Sequence, residues 1–541
     1  MPYNIKSRRF ANLLKPVFHA YTFMMNIIRL SLTVLTLLML AVPAVYAQKP
    51  TSETTRPVDV PPVVHSQVGD SSVGGAGSLK LINIGKRQQY SAALRDSYDT
   101  DIFSPKSVTF SKDGRLFYVN SLEGCKTVVY DTRTLEKKHV IEYSFPSGSG
   151  SLWGEPSGYY PFSHYSDGQE RSFKGKPVES TWSHGGCYLW VPFYRRTFDI
   201  NAQDPSAVAV IDTRTHMIVR MLETGPLPKM IATSPDGRLI AVTHWGDNTV
   251  GFIDISSDNP ADWHHLSPVT VGNKLKLDYP LDKSVDRDAK SGFLLRGTVF
   301  TPDGRYLLVS AMAGPMAVID VSSRRYLGMV QSVYGVRHLA ISGEDVFGSC
   351  NIAGTVIKFS IDSLIAGVER AEKTGSGNIK FGGGIKTCKV GSGARTLDVS
   401  PDGKYVFVAC NSGNAVYVVD AETMKVADYI RADSYPVGLA MSKDGRYLAV
   451  TSQGRKGYGG NSLNIYSVRR PDIPTPVEYE SRTGEDDAIE GVEPATTEIK
   501  DSEKAKGIDR DTLALIIAVV AGLLAAGALM LFYPHNDKDN N

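Results

Sequence analysis

At 541 residues, with 42% apolar and 21% charged side chains, the chain has the composition of an ordinary globular protein large enough for several packed units. Its 59 basic residues nearly match its 57 acidic ones; five of the basic ones (Lys6, Arg8, Arg9, Lys15 and Arg29) fall within residues 1–47, which leaves 54 against 57 beyond them. That balance offers no nucleic-acid footprint, so no nucleic-acid partner is expected.

The chain opens on an apolar run, Leu30 to Val42, followed by Val45-Tyr46-Ala47, small residues where a signal peptidase cuts. Residues 1–47 therefore read as a signal peptide. They are long for one, and a start at Met24 or Met25 would leave the short basic region Met-Asn-Ile-Ile-Arg. An uncleaved signal anchor is the alternative. Residues 48–78, rich in Pro, Ser, Thr and Gly, read as a disordered linker.

From Leu79 to Val468, short Val/Ile/Tyr-rich segments alternate with Gly, Asp and Asn, an all-β pattern. A turn signature recurs at Ser111-Lys112-Asp113-Gly114, Ser234-Pro235-Asp236-Gly237, Thr301-Pro302-Asp303-Gly304, Ser400-Pro401-Asp402-Gly403 and Ser442-Lys443-Asp444-Gly445. Degenerate copies stand at Ser183-His184-Gly185-Gly186 and Ser342-Gly343-Glu344-Asp345. Each turn sits between apolar runs, and the second run leads through a Gly/Asn turn to a third ending in Asp, as in Tyr405 to Asp420. Strands A, B, C and a following D make one four-stranded blade, and seven signatures predict a seven-bladed β-propeller. The last unit ends at strand C, Asn461 to Val468, so Leu79 to Ile84 is expected to supply its outer strand.

Tyr118-Val119-Asn120 and Val242-Thr243, followed by Asn248-Thr249-Val250 and Ile253-Asp254, resemble the YVTN repeat family. That group takes in YncE-like and surface-layer-associated propellers, and its fold also holds a lactonase family. The resemblance covers residues 79–468. It implies the fold strongly and an activity weakly, because the repeated residues are turn and packing residues.

Insertions lengthen four of the units. Residues 146–177 and 273–294 lie in D–A connections, and about ten residues near Phe193 to Ser206 lengthen a B–C loop. These three share one end of the propeller; residues 365–384, a C–D insertion, belong to the other. The first of them, with Trp153, Tyr159, Tyr160, Phe162, Tyr165 and Phe173, suits either glycan or peptide recognition or packing over the blades.

Five residues before each turn signature stand Lys106, Val178, Lys229, Arg296, Arg337, Arg395 and Val437. Five of the seven are basic, where an overall frequency of 59 in 541 would give about one. They start the innermost strands on the insertion-bearing face, so they are expected to ring the channel mouth and recognise an anion. The competing reading pairs each with an acidic neighbour such as Glu179 or Asp398. Residues ending strand B face the same mouth, which adds Asn120, Arg195, His244, Trp245 and Asn411 as candidate ligand-binding residues. His244 with Asp247 could suggest acid–base work, but a His beside an Asp in a β-turn is more often a turn hydrogen bond, and no catalytic residue is expected. His264 and His265 are neighbours on a strand, so their side chains diverge and no metal site is expected.

Cys125, Cys187, Cys350, Cys388 and Cys410 form no Cys-x-x-Cys motif, which excludes a zinc ribbon, a thioredoxin-type centre and covalent haem. Buried, inert thiols are expected, and no cofactor. Residues 469–511 read as an acidic linker; within them, 471–510 carry twelve acidic against five basic residues. Thr512 to Tyr533, 22 residues without a charge, is long enough to span a bilayer, and 534–541 form a short tail. The flanking Lys504, Lys506 and Arg510 oppose a cytoplasmic tail under the positive-inside rule, so the export signal decides the orientation: propeller outside, tail inside. The whole reads as an exported, membrane-anchored binding module for an anionic small molecule, glycan or envelope protein. A lactonase-like hydrolase and a ligand-free envelope scaffold are the alternatives.

Overall fold

The computed structural model describes residues 66–73, 79–89, 97–145, 150–165, 173–287, 289–290, 292–454 and 460–470. The signal segment 1–47, the acidic stretch 471–511 and the apolar span 512–533 lie outside the described residues. Among the described residues no helix is long and apolar enough to cross a membrane.

Seven antiparallel sheets surround one axis. Their inner strands are Pro105–Phe110, Thr181–Ser183, Pro228–Thr233, Leu295–Phe300, Val336–Ser342, Ala394–Val399 and Pro436–Met441. In blades one to six the strands follow in chain order from axis to rim. Blade seven takes its outer strand, Lys80–Gln88, from the beginning of the propeller, paired antiparallel with Ser462–Arg469. A fifth strand, Asn378–Ile379, runs parallel to the outer strand of blade four. It comes from the C–D insertion of blade five, which also forms the helix Ile361–Thr374, capped by Ser360 at its start and by left-handed Gly375 at its end.

The apolar residues do not gather in one central core. They form layers between neighbouring blades: Val129 meets Leu189 and Ala207 between blades one and two, and Leu308 meets Leu339 and Val346 between blades four and five. The interface of blades seven and one is built the same way, from Ala449 and Ile465 against Val108 and Phe117. Period-two alternation in strands B and C feeds both faces, which is why these strands are apolar throughout while the outer ones are half exposed.

The recurring signature closes each A–B turn by one device. Ser111 Oγ donates to Asp113 Oδ1 at 2.6 Å and accepts from Leu116 N, while Asp113 Oδ1 accepts from Arg115 N. The same contacts recur around Ser234, Ser400 and Ser442. Gly237 takes φ 75° in open space, so glycine is needed there for its backbone and not for room. The degenerate copies keep the turn by other means: a short 3₁₀ segment at His184–Gly186 and a two-residue hairpin at Ser342–Asp345 with Gly343 at φ 57°.

Ser66–Val73 departs from the linker expected at 48–78. It folds onto blade seven, where Gly69 N donates to Asn83 O and Asn83 N to Asp70 O, both at 2.8 Å. The reason is a buried polar cluster. Lys86 Nζ lies 2.8 Å from Asp433 Oδ2 with both side chains 2% exposed, and Lys86 also donates to Ser66 O. Asp433 further accepts from Ser66 N, Ser462 Oγ and Asn464 Nδ2. Asp433 lies in the D–A connection at the mouth end. Arg470, where the described chain stops, pairs with Asp402 in an A–B turn at the opposite end. Replacing Asp433 by Ala should destabilise the propeller by about 3–5 kcal/mol, because Lys86 is left buried without its counter-charge. Urea unfolding followed by tryptophan fluorescence measures it, and Lys86→Met combined with Asp433→Leu should recover much of the loss.

Candidate anion-binding site at the channel mouth

The mouth is shaped by a backbone pattern that repeats from blade to blade. Two residues before the ring position, Ser104, Leu227, Leu294, Gly335, Gly393 and Tyr435 all adopt left-handed backbone, with φ between 50° and 77°. The carbonyl of this residue takes an N–H from the B–C turn: Trp245 N reaches Leu227 O at 2.9 Å, Met312 N reaches Leu294 O at 3.1 Å and Gln453 N reaches Tyr435 O at 3.1 Å. The inner strand then carries one extra residue. The register slips at Lys106, Lys229, Arg337 and Val437, and within Arg296–Gly297 and Arg395–Thr396. Blade two gains its extra residue between the Pro177–Phe193 and Thr181–Trp190 pairs. A bulge re-aims the side chain it carries. Gly297 and Gly438, one residue on, let the next blade's backbone approach, since a Cβ would meet Leu339 N at 2.9 Å in one case and Lys106 O at 2.6 Å in the other.

Four of the five ring cations come together. Arg296 is 3% exposed and lies 3.6 Å from the Glu179 carboxylate of blade two. Arg395 is buried with its guanidinium 5.6 Å from the Tyr435 ring. Arg337, half-buried, donates from Nη1 to the Met312 sulfur at 3.0 Å. Lys106 is 5% exposed, and its Nζ has no hydrogen-bond partner among the described residues. Burial pushes the Lys106 amine well below its ordinary range, and the positive charges of Arg395 and Arg296 push it further. Burial lowers Arg337 as well, again with Arg395 and Arg296. Burial raises Glu179 against the pull of Lys106 and the three arginines. These five groups are one electrostatic unit. Asp398 is not part of it: its carboxylate accepts from Val399 N and Met441 N.

Lys229 sits apart, its Nζ 3.8 Å from the Tyr194 ring centre and 4.9 Å from that of Trp245. Trp245 is buried beside Leu227 and Ala202, with Tyr194, Leu294 and Met312 against them. Arg195 lies just past its strand and donates to Ile200 O and the Tyr194 hydroxyl. Asn120 bridges blades one and two through Ser107, Ser180 and Glu179 O. Asn411 is buried, accepting from Ser412 and donating its backbone N–H to Gly393 O.

His244 is held in a closed circuit. Thr249 Oγ1 donates to Asp247 at 2.7 Å, so His244 Nδ1 donates to Thr249 at 2.8 Å, and Nε2 accepts from Gly225 N at 3.0 Å. Both ring nitrogens are spent on structure, and burial lowers the imidazole to about 3. His264 is exposed with Nδ1 3.1 Å from Asp262 O, while the His265 ring meets Tyr160 edge-on.

The three mouth-side insertions interlock over blades two and three. Gln203 exchanges two hydrogen bonds with the Tyr279 backbone, and Arg287 donates to Ala202 O and Gly246 O. Tyr160 wedges edge-on between the rings of His244 and His265, and His164 Nδ1 meets Asp204 at 2.6 Å. The aromatic insertion packs over the blades. Tyr194, Met312 and Tyr435 had no sequence signal at the repeat level, although Tyr435 occupies the left-handed position that precedes each bulge.

No protein-family profile matches the chain. An antigen of Leptospira interrogans serogroup Icterohaemorrhagiae serovar copenhageni, Antigen Lp49, is 22% identical over 275 residues, covering 47% of this chain and 51% of the antigen. The chain thus spans about half the length of that curated relative. Among solved structures, the Cps50 (Swd1) β-propeller domain of Myceliophteria thermophila covers 68% of the chain and aligns over 97% of its own length, at 12% identity and TM-score 0.47. Kuenenia stuttgartiensis hydrazine synthase covers 69% and aligns over 96% of its own length, at 14% identity and TM-score 0.46.

Burial lowers His265 to about 4, so the folded protein holds it neutral where an unfolded chain, near 6.5, would protonate it. The stability this confers is complete above pH 6.5 and drains away as pH falls toward 4. At pH 5 the loss should be about 2 kcal/mol. His244 and His338, each lowered to about 3 by burial, lose stability in the same window, while Asp247, raised to about 6, acts oppositely, so the parent alone does not isolate His265. Comparing parent with His265→Gln in urea melts at pH 7.5 and 5 isolates it: the gap between the two should shift by that amount in favour of the variant.

Proposed function

We propose that this chain is an exported, membrane-anchored propeller of the YVTN/YncE-like kind that binds an anionic ligand at its channel mouth. The observation that carries the reading is the placement of Lys106 and Arg337. Both lie in the mouth, and neither has a carboxylate within ion-pair distance among the described residues. Glu179 is the one carboxylate coupled to Lys106 and three arginines, and an anion from solution would offset the remaining positive charge of this desolvated cluster. The similarity to a leptospiral antigen fits a protein displayed outside the cell, as do the apolar segments at both ends of the chain. A lactonase-like activity would need a base at the mouth, and His244, the sequence's candidate, has both nitrogens engaged.

Anion binding is tested by thermal melts of the parent, Arg337→Ala and Arg395→Ala, with and without phosphate, sulfate or a polycarboxylate at matched ionic strength. The variants should hold or raise the melting temperature in anion-free buffer, since repulsion is relieved. The anions should stabilise the parent more, because binding to the folded state alone raises stability. Identical anion responses in all three proteins overturn the site.

Topology has its own test. Protease added to intact spheroplasts should cut within residues 471–510 and release the propeller. A segment protected until lysis places the propeller inside.

A further inference from the structure

Resting on the anion-site reading, we infer that the ligand is a small polyvalent anion whose two or more oxyanion groups, carboxylate or phosphate, are held by different blades at once. Lys106 belongs to blade one and Arg337 to blade five, with blades six and seven between them on the shorter way round the ring, and blade seven carries Val437 at this position. Neither has an ion-pair partner among the described residues, and Lys106 is almost wholly buried with an Nζ that makes no hydrogen bond. A single carboxylate brings one charge and one short pair of acceptor oxygens. It can answer an arginine bidentately, but it then leaves the lysine as it was.

The surroundings favour a compact ligand over a long polymer. Lys106, Arg296 and Arg395 are buried by their own ring, while the insertions over blades two and three and the aromatic shelf of Tyr194 and Trp245 occupy one side of the mouth. Arg395 and Arg337 come from adjacent blades, with Tyr435 and Met312 beside them, and make a planar-donor subsite for one oxyanion group. Lys106 supplies a point charge for another. Glu179, 3.6 Å from Arg296, is the carboxylate that added anionic charge would have to compete with.

The test titrates purified protein with acetate, succinate, citrate, inorganic phosphate and pyrophosphate at constant ionic strength, by calorimetry. Affinity should rise at least tenfold from acetate to citrate and from phosphate to pyrophosphate, and the stronger of the two series identifies the oxyanion. Lys106→Met should weaken citrate and pyrophosphate at least tenfold while leaving acetate and phosphate nearly unchanged. Glu179→Gln should tighten the polyvalent ligands. Equal affinity across valence, or a Lys106→Met loss common to all five ligands, overturns the inference while the anion site stands. No binding by any of them removes the anion site itself. If Lys106→Met fails to fold, the valence series on the parent still decides.

Discussion

A bulge at one position of six of the seven inner strands determines what the mouth of this propeller can be. Without the extra residue, a side chain starting strand A would alternate into the layers between blades, where the neighbouring positions are apolar. The slip at Lys106, Arg337 and the equivalent positions moves it off that alternation. The left-handed residue two places earlier sets the approach, and its carbonyl is pinned by the B–C turn. The same local device therefore delivers a cation in five blades and a valine in blade seven, while blade two, which lacks it, brings in a carboxylate. Chemistry varies at the mouth while the backbone does not.

Separate interblade cores make this variation tolerable. Each layer is complete between two sheets, so no layer has to be rebuilt when a mouth residue changes. Contacts between adjacent inner strands include polar ones, such as Thr396 Oγ1 to Val437 O at 2.7 Å and Thr181 to Thr233 at 3.0 Å. The ring is thus held apart from the apolar layers, and its electrostatic strain is confined to the centre.

Blade count, the closure of blade seven and the placement of the insertions were legible because turn residues repeat for reasons local to each turn. The basic position was legible for the same reason. What the repeat does not reveal is where a long side chain ends. Lys229 shares the repeat position with Arg337 yet leaves the ring for Tyr194 and Trp245, since an insertion found only in blade two puts the tyrosine there. Glu179 enters the ring one residue from the expected position, because the blade-two strand spreads its slip over several residues. His244 looks like a catalytic candidate until Gly225, nineteen residues away in sequence, is seen to hold its second nitrogen. Ser66–Val73 has linker composition, but Asp433 gives it a reason to be ordered.

The two ends of the described chain leave the propeller on opposite faces: Ser66 beside Asp433 at the mouth, Arg470 beside Asp402 at the far side. Tension applied between them would run along the strands of blade seven and not across them. Hydrogen bonds loaded lengthwise share a shearing force, whereas bonds peeled sideways fail in turn. Resistance to such pulling is set by the unfolding rate, and hence by the barrier to sliding that strand pair. The buried Lys86–Asp433 clasp lies on that path, so it bears on mechanical endurance as well as on equilibrium stability.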